Sequence, residues 1–262
     1  MMASKMETPK FTAHNIRLDD GSYTIPERSE SVDQSRWFVS ARNVLNLVFP
    51  SDRQKYRVVD LGCLEGGYSV EFARMGFDTL GIEVRDLNMQ CCEYVKKNVD
   101  LPNLRFAKDD VMNISNYGEF DAAFCCGLLY HLDRPRAFLE QLAKQTRRLV
   151  IVQTHFSIAS EEKRTDFVLS PIALNESLKG RWYTEFPEHL PLEQRQGQRW
   201  SSFENDSSFW IQREHLIGLI YDLGFNTVFE QFDWLAPNIA EQLENRYASF
   251  LRGTFVGIKC PE

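Results

Sequence analysis

Three histidines stand where a proton could be moved. His131 follows the apolar run Phe120 to Cys126, His155 closes the run from Leu149, and His14 lies in the N-terminal stretch. Three carboxylates, Asp60, Glu83 and Asp110, likewise follow short apolar runs. Asp60 leads into a glycine turn, Gly62-Cys63-Leu64-Glu65-Gly66-Gly67, after which Tyr68, Val70, Phe72 and Ala73 recur at helical spacing. A strand that delivers glycines to a helix N-terminus lets a ligand approach the backbone and meet unpaired N–H groups. The dinucleotide pattern G-x-G-x-x-G is not met, because Leu64 occupies the place of its second glycine. A carboxylate before the first glycine would repel a pyrophosphate and hold an ammonium or sulfonium. Glu83 lies about 20 residues beyond the turn, where such sites place an acid for the two ribose hydroxyls. Glu65 has two readings: a solvated acid stabilised by the helix dipole, or a neighbour of the ligand's amino-acid end.

Elements that must position these groups follow from periodicity. Strands are expected at Arg57–Leu61, Phe77–Val84, Leu104–Ala107, Phe120–Cys126 and Leu149–His155, with helices between them, including Asp86–Asn98 and about Arg136–Lys144. Five strand–helix alternations predict an α/β fold, a doubly wound parallel sheet, and non-alternating valine-rich strands suit burial on both faces. Ligands of such sheets bind outside the carboxyl ends of the strands, and every residue singled out lies at such an end. Before the sheet, residues 1–10 read as loose and 11–30 as an irregular arm or short hairpin. Trp37, Phe38, Ala41, Val44, Leu45 and Val48 mark a helix ending at Pro50. Residues 157–208 are too long for a simple connection. Trp182, Tyr183, Phe186, Trp200 and Phe203 in it, with Phe209 and Trp210 after it, are either its own small core or an apolar, sugar-stacking pocket. A helix at Gln212–Leu223, a strand at Asn226–Asp233, an insertion of helical pattern at Trp234–Ser249 and a seventh strand at Arg252–Lys259 complete the chain. The expected divisions are 1–54 (arm and helix), 55–156 (core), 157–208 (lid insertion) and 209–262 (closing part of the core).

The stretch Asp60-Leu61-Gly62-Cys63-Leu64-Glu65-Gly66 resembles the first motif of class I SAM-dependent methyltransferases, D-x-G-x-G-x-G-like, with Leu64 at the middle glycine. Gly127-Leu128-Leu129-Tyr130-His131-Leu132-Asp133-Arg134-Pro135 is similar to the family's G-x-L-x-H-x-x-x-P. The resemblance spans residues 55–156 by motif and 209–260 by element order. It implies a Rossmann-like seven-stranded sheet with an antiparallel seventh strand. It also implies the cofactor S-adenosyl-L-methionine (SAM), left as S-adenosyl-L-homocysteine (SAH). Asp60, Gly62, Cys63, Glu65 and Gly66 would then serve the methionyl end and Glu83 the ribose. Asp110 would accept from the adenine amino group, fitting better than Asp109, with Val111 on the ring and Gly127 and Leu128 alongside. Methyl transfer itself needs alignment, exclusion of water and, for an oxygen or nitrogen acceptor, a base. His155, His131 and His14 are the candidates. His131 could instead pack beside the cofactor, and His155 could make only a structural hydrogen bond.

Composition limits the function classes. The chain has 262 residues, 43% hydrophobic and 26% charged, with a formal net charge of -7, which disfavours a general nucleic-acid or anionic-membrane surface. Of the six cysteines none forms C-x-x-C, and Asp133 alone does not make a metal site, so no metal is expected. The N-terminus lacks a signal-peptide core and no long apolar run occurs, so a cytoplasmic protein is expected. The expected activity is methyl transfer to a small-molecule or glycan acceptor, with oxygen favoured and a homodimer left open. The alternatives are a tRNA wobble-uridine carboxymethyltransferase-like enzyme, similar in the Gly127–Pro135 stretch, and a SAM-binding protein without chemistry.

Overall fold

The computed structural model describes residues 8–160, 166–235 and 237–260. Among the described residues ten strands form: β1 (Arg57–Leu61), β2 (Asp78–Glu83), β3 (Leu104–Lys108), β4 (Phe120–Cys126), β5 (Thr146–His155), β6 (Ala173–Asn175), β7 (Leu178–Thr184), β8 (Ser207–Ile211), β9 (Thr227–Gln231) and β10 (Arg252–Ile258). The helices used below are α1 (Arg36–Val48), α2 (Gly67–Arg74), α3 (Asp86–Asn98), α4 (Pro135–Gln145), the single turn α5 (Leu192–Arg195) and α6 (Arg213–Asp222). Seven strands make one sheet in the order β3-β2-β1-β4-β5-β10-β9. β1 to β5 pair in parallel, and β10 runs antiparallel to both β5 and β9. This is the expected doubly wound fold with an antiparallel seventh strand. Strand order reverses between β1 and β4, the switch point at which such sheets open a crevice.

Alternate residues of the central strands face opposite layers, as a period of two requires. Val59, Leu61, Ala123, Cys125, Val150 and Val152 pack with Phe138 and Leu142 of α4 and Leu216, Leu219 and Ile220 of α6. Val58, Ala122, Phe124, Leu149 and Ile151 pack with Phe38, Ala41 and Leu45 of α1 and Phe72 of α2. Both faces are therefore apolar, which explains the unbroken hydrophobic runs. Removing a ring at this depth, as in Phe124→Ala, costs about 3–5 kcal/mol through lost transfer and an unfilled cavity.

The N-terminal arm is not loose beyond residue 10. Of residues 1–10, only 8–10 are described. Phe11, Ile16, Leu18, Ile25 and Val32 are buried against Val70 and Ala73 of α2, Cys91 and Val95 of α3, and Leu104. A bridge between Arg17 and Tyr23 closes a small turn, as the hairpin reading anticipates.

The 157–208 insertion builds what the sequence pattern does not announce. β6, β7 and β8 form a second, antiparallel sheet, with β8 straddling residues 208 and 209. β6 has only three residues, and Gly180 of β7 faces the Phe209 ring where a Cβ would lie 2.5 Å away, so no clean alternation marks them. The aromatic stripe divides. Phe186, Phe209 and Trp210 are buried, with Trp182 edge-on to Phe209 at 5.1 Å. Trp200 and Phe203 instead reach a cavity. No helix among the described residues is long and apolar enough to cross a membrane.

Candidate active site

A cavity of about 790 Å³ opens over the switch point, walled by the sheet's carboxyl ends, the arm and the lid. Gly62, Glu83, Asp110, Val111, Gly127, Leu128, His131 and His14, all expected site residues, line it. Asp60, Cys63, Glu65, Gly66 and His155 do not reach the lining.

The glycine turn is held by its conformation. Gly66 has φ +81, and a Cβ there would meet the Phe106 ring at 2.7 Å. Leu64, at the missing middle glycine, also adopts a positive φ of +56. That conformation costs an L-residue roughly 1–2 kcal/mol. It aims the Leu64 N–H at Glu83 Oε2, 2.9 Å away. Glu83 ends β2, and its Oε1 accepts from the N–H groups of Val84 (3.0 Å) and Arg85 (2.9 Å). Burial raises its pKa, and these backbone donors act against that. Asn88, one turn into α3, is buried on the same wall, and neither its amide nitrogen nor its oxygen has a hydrogen-bond partner. Its amide is one of the groups that act against the raised Glu83 pKa, but no well-formed bond joins them. A buried amide left unanswered beside a carboxylate suits a diol that donates to one and bonds the other.

Asp110 accepts from Met112 N at 2.7 Å and faces the cavity with Val111. Asp109 turns outward to Asn113 (2.7 Å) and the Tyr117 hydroxyl (2.8 Å). Asp60 is buried below the turn, where it accepts from Ser69 Oγ at 2.7 Å, and burial pushes its pKa up to about 7.

Glu65 departs from both of its readings. It is fully buried, so it is not a solvated acid, and it does not line the cavity. Its Oε1 accepts from Thr12 N (2.7 Å), Thr12 Oγ1 (2.9 Å) and Arg199 Nη1 (2.7 Å). Its Oε2 accepts from Ala13 N (3.0 Å) and His14 N (2.8 Å). One carboxylate thus fastens arm and lid to the glycine turn.

The three histidines separate. His14 Nδ1 accepts from Gly67 N at 3.0 Å, and burial drives its pKa down to about 4. Its lone pair is already engaged, which removes it as a base. His155 is buried, stacks on Trp210 at 4.8 Å and donates from Nδ1 to the Phe250 carbonyl at 3.0 Å. Burial lowers its pKa to about 3, and Tyr130 stands edge-on beside it at 4.7 Å. His155 therefore makes the structural bond and is off the cavity. His131 lines the cavity, with Nδ1 2.7 Å from Glu185 Oε1. Glu185 follows β7 and also accepts from Ser208 Oγ (2.8 Å) and Ser202 N (3.2 Å). A carboxylate at Nδ1 fixes the proton there and leaves Nε2 with its lone pair. Among the described residues Nε2 has no partner.

Sequence reasoning missed Glu185, Arg199, Arg252, Trp37, Tyr68 and the Thr12–Ala13 backbone, all of which wall or brace the cavity. Only Trp37 and Tyr68 had a signal, being large aromatics on helices that flank the turn. Among the described residues no group of three or more His, Cys, Asp or Glu is arranged to hold a metal.

The sequence matches a family described as a methyltransferase domain over residues 34–230. No curated protein matches. Among solved structures, the N-terminal domain of EvdMO1 with SAH bound is similar at TM-score 0.62 and 22% identity, covering 84% of this chain and 81% of that one. The 1,6-didemethyltoxoflavin-N1-methyltransferase of Burkholderia thailandensis gives TM-score 0.55 and 14% identity, covering 88% and 80%. Magnesium protoporphyrin IX methyltransferase of Synechocystis PCC 6803 with SAH bound gives 0.51 and 13%, covering 90% and 91%. These likenesses are of fold, while the sequence match spans most of the chain, which belongs to the class I SAM-dependent methyltransferases.

Proposed function

We propose that this enzyme methylates an oxygen of a small-molecule or glycan acceptor, with His131 as base and Glu185 as its orienting partner. The single observation that carries this is the 2.7 Å bond that His131 Nδ1 donates to Glu185 Oε1 at the cavity wall. Bound SAM would supply a methyl group already activated on a sulfonium. Glu83 and Asn88 would hold its ribose, Asp110 and Val111 its adenine, and the Gly62–Leu64 backbone its methionyl end. The arm and the lid segment from Arg199 to Asn205 line the same space and would exclude water from it. His131 takes the acceptor's hydroxyl proton at Nε2, and Glu185 stabilises the imidazolium that results. Acceptors of other methyltransferases of this fold range widely. The solved EvdMO1 domain has been studied in the presence of D-fucose, which agrees with a sugar hydroxyl here.

A nucleic-acid acceptor is the weaker reading. Arg28 binds the Thr12 and Ala13 carbonyls, Arg85 those of Arg195, Ser201 and Ser202, and Arg199 the Glu65 carboxylate. The cavity's arginines are thus mostly engaged and do not form a free basic groove. The test is incubation with methyl-labelled SAM and a fractionated extract. Label should enter a low-molecular-weight or glycan fraction, held there as an alkali-stable methyl ether, and should not enter RNA. In His131→Gln and Glu185→Gln, kcat should fall by roughly 10²–10⁴ with SAH affinity unchanged. Wild-type kcat in His131→Gln would refute the base assignment.

A further inference from the structure

Arg252 opens β10 at the cavity wall, next to the carboxyl end of β5, and the function argued above does not use it. Its guanidinium lies over the ring of Trp37 at 5.1 Å and that of Tyr130 at 5.6 Å. Among the described residues its one hydrogen bond goes to a neutral acceptor, Gln153 Oε1, at 2.8 Å. Its Nε is buried without a partner, as are the neighbouring Gln153 Nε2 and Thr254 Oγ1. Among the described residues no carboxylate forms an ion pair with it. Arg252 Nε and the Gln153 amide are donors without an acceptor, and no carboxylate on the protein's side answers the half-buried charge. The other arginines of this wall with assigned bonds are tied to carbonyls or to Glu65, as described above.

We propose that Arg252, framed by Trp37 and Tyr130, is a carboxylate-binding subsite of the cavity. A guanidinium fork matches a carboxylate with two parallel bonds, and a single cation suits one negative charge better than a phosphate dianion. The Trp37 and Tyr130 rings lie against the guanidinium, Nη2 bonds Gln153, and Nη1, which has no hydrogen-bond partner among the described residues, is left for the ligand. The carboxylate has two sources, the methionyl end of the cofactor or an acid group on the acceptor. The second source would narrow the acceptor to an acid, and so rests on the proposed function.

Two ligand pairs separate the sources by titration calorimetry. SAH is compared with 5′-methylthioadenosine, which lacks the amino-acid end. Benzoate is compared with benzamide, on the protein alone and on SAH-saturated protein. Wild type should prefer the carboxylate member of at least one pair by roughly tenfold to a hundredfold, the span of a hydrogen bond to a charged group. Arg252→Met should abolish that preference and Arg252→Lys should keep part of it, with melting curves confirming that both variants fold. Loss confined to the SAH pair assigns the cofactor's carboxylate, and loss confined to the benzoate pair assigns an acidic acceptor. Preferences that survive in Arg252→Met, or their absence from wild type, overturn the proposal. Failure of SAH to bind wild type would instead overturn the cofactor placement, and the benzoate pair on the protein alone would still decide Arg252.

Discussion

Glu65→Gln tests whether one buried carboxylate closes the site. Five donors converge on it, from Thr12 N, Thr12 Oγ1, Arg199 Nη1, Ala13 N and His14 N. A glutamine of the same shape offers one oxygen, which can serve the three donors now on Oε1. Its amide nitrogen then faces the N–H groups of Ala13 and His14, donor against donor. Arg199, whose side chain is 12% exposed, also loses its counter-charge. Breaking a buried pair by removing one partner costs about 3–5 kcal/mol. The arm and lid are joined to the glycine turn here, not through a sheet, so the loss should appear first as local opening. At about 1.36 kcal/mol per tenfold, amide exchange at residues 12–16 and 199–205 should accelerate by roughly 10²–10⁴. If opening couples to global unfolding, Tm falls by roughly 6–20 °C instead, at 2–4 °C per kcal/mol for a chain near this length. Hydrogen exchange by mass spectrometry and a melting curve together read both outcomes. Unchanged exchange at 12–16 with unchanged Tm would refute the latch.

Other perturbations test the same geometry. Leu64→Gly relieves a left-handed backbone, so it should keep SAH binding and shift stability upward by up to about 1 kcal/mol; a clear loss of stability, by denaturant midpoint, would show that the Leu64 side chain matters more than its φ. Gly67→Ala would place a Cβ 2.8 Å from the His14 ring, so the arm should detach and SAH affinity should drop, measured by calorimetry. His14 and His155 are held neutral, near 4 and 3 against an ordinary 6.5, so the unfolded chain binds their protons first; stability is full above pH 6.5 and falls as pH drops through 4 to 3. Urea midpoints against pH should show this slope, and His14→Gln should flatten it. Asp60 works the other way, its burial favouring the neutral acid up to about pH 7, so Asp60→Asn should stabilise the ligand-free protein most above pH 7.

The core was legible because its strands are buried on both faces. Val58 and Val59 point to different layers, yet both must be apolar, and such runs announce themselves. Asp110 and Glu83 were legible because they stand one step past such runs, where the sheet has to open. Glu65 was not, since a helix-start acid looks the same in sequence whether water or an arm 51–53 residues upstream answers it. His155 looked as good as His131 by position, at the end of the next strand. Tertiary packing separates them, because Trp210 of the lid sheet covers one and Glu185 orients the other. The lid sheet was hidden because β6 has only three residues and β7 mixes Lys179, Gly180 and Arg181 into its run, leaving little hydrophobic alternation to find.

Glu185 and Arg199 give the lid a role that its aromatic residues alone would not. Each makes a charged contact to a core residue, Glu185 to His131 and Arg199 to Glu65. The first sets the tautomer of the proposed base, and the second pins the lid beside the arm that closes the cavity. With the lid displaced, His131 loses the carboxylate that holds its proton at Nδ1, and the cavity loses its Arg199–Asn205 wall in the same movement. Orientation of the base and exclusion of water thus both use the lid, but each through its own contact, Glu185 with His131 and Arg199 with Glu65. Separating them is a direct test: Arg199→Met leaves Glu185 in place and should raise the KM for acceptor and cofactor more than it lowers kcat, whereas Glu185→Gln should lower kcat with little effect on KM. Matching effects on both parameters in the two variants would show that the contacts act only as general supports of the lid.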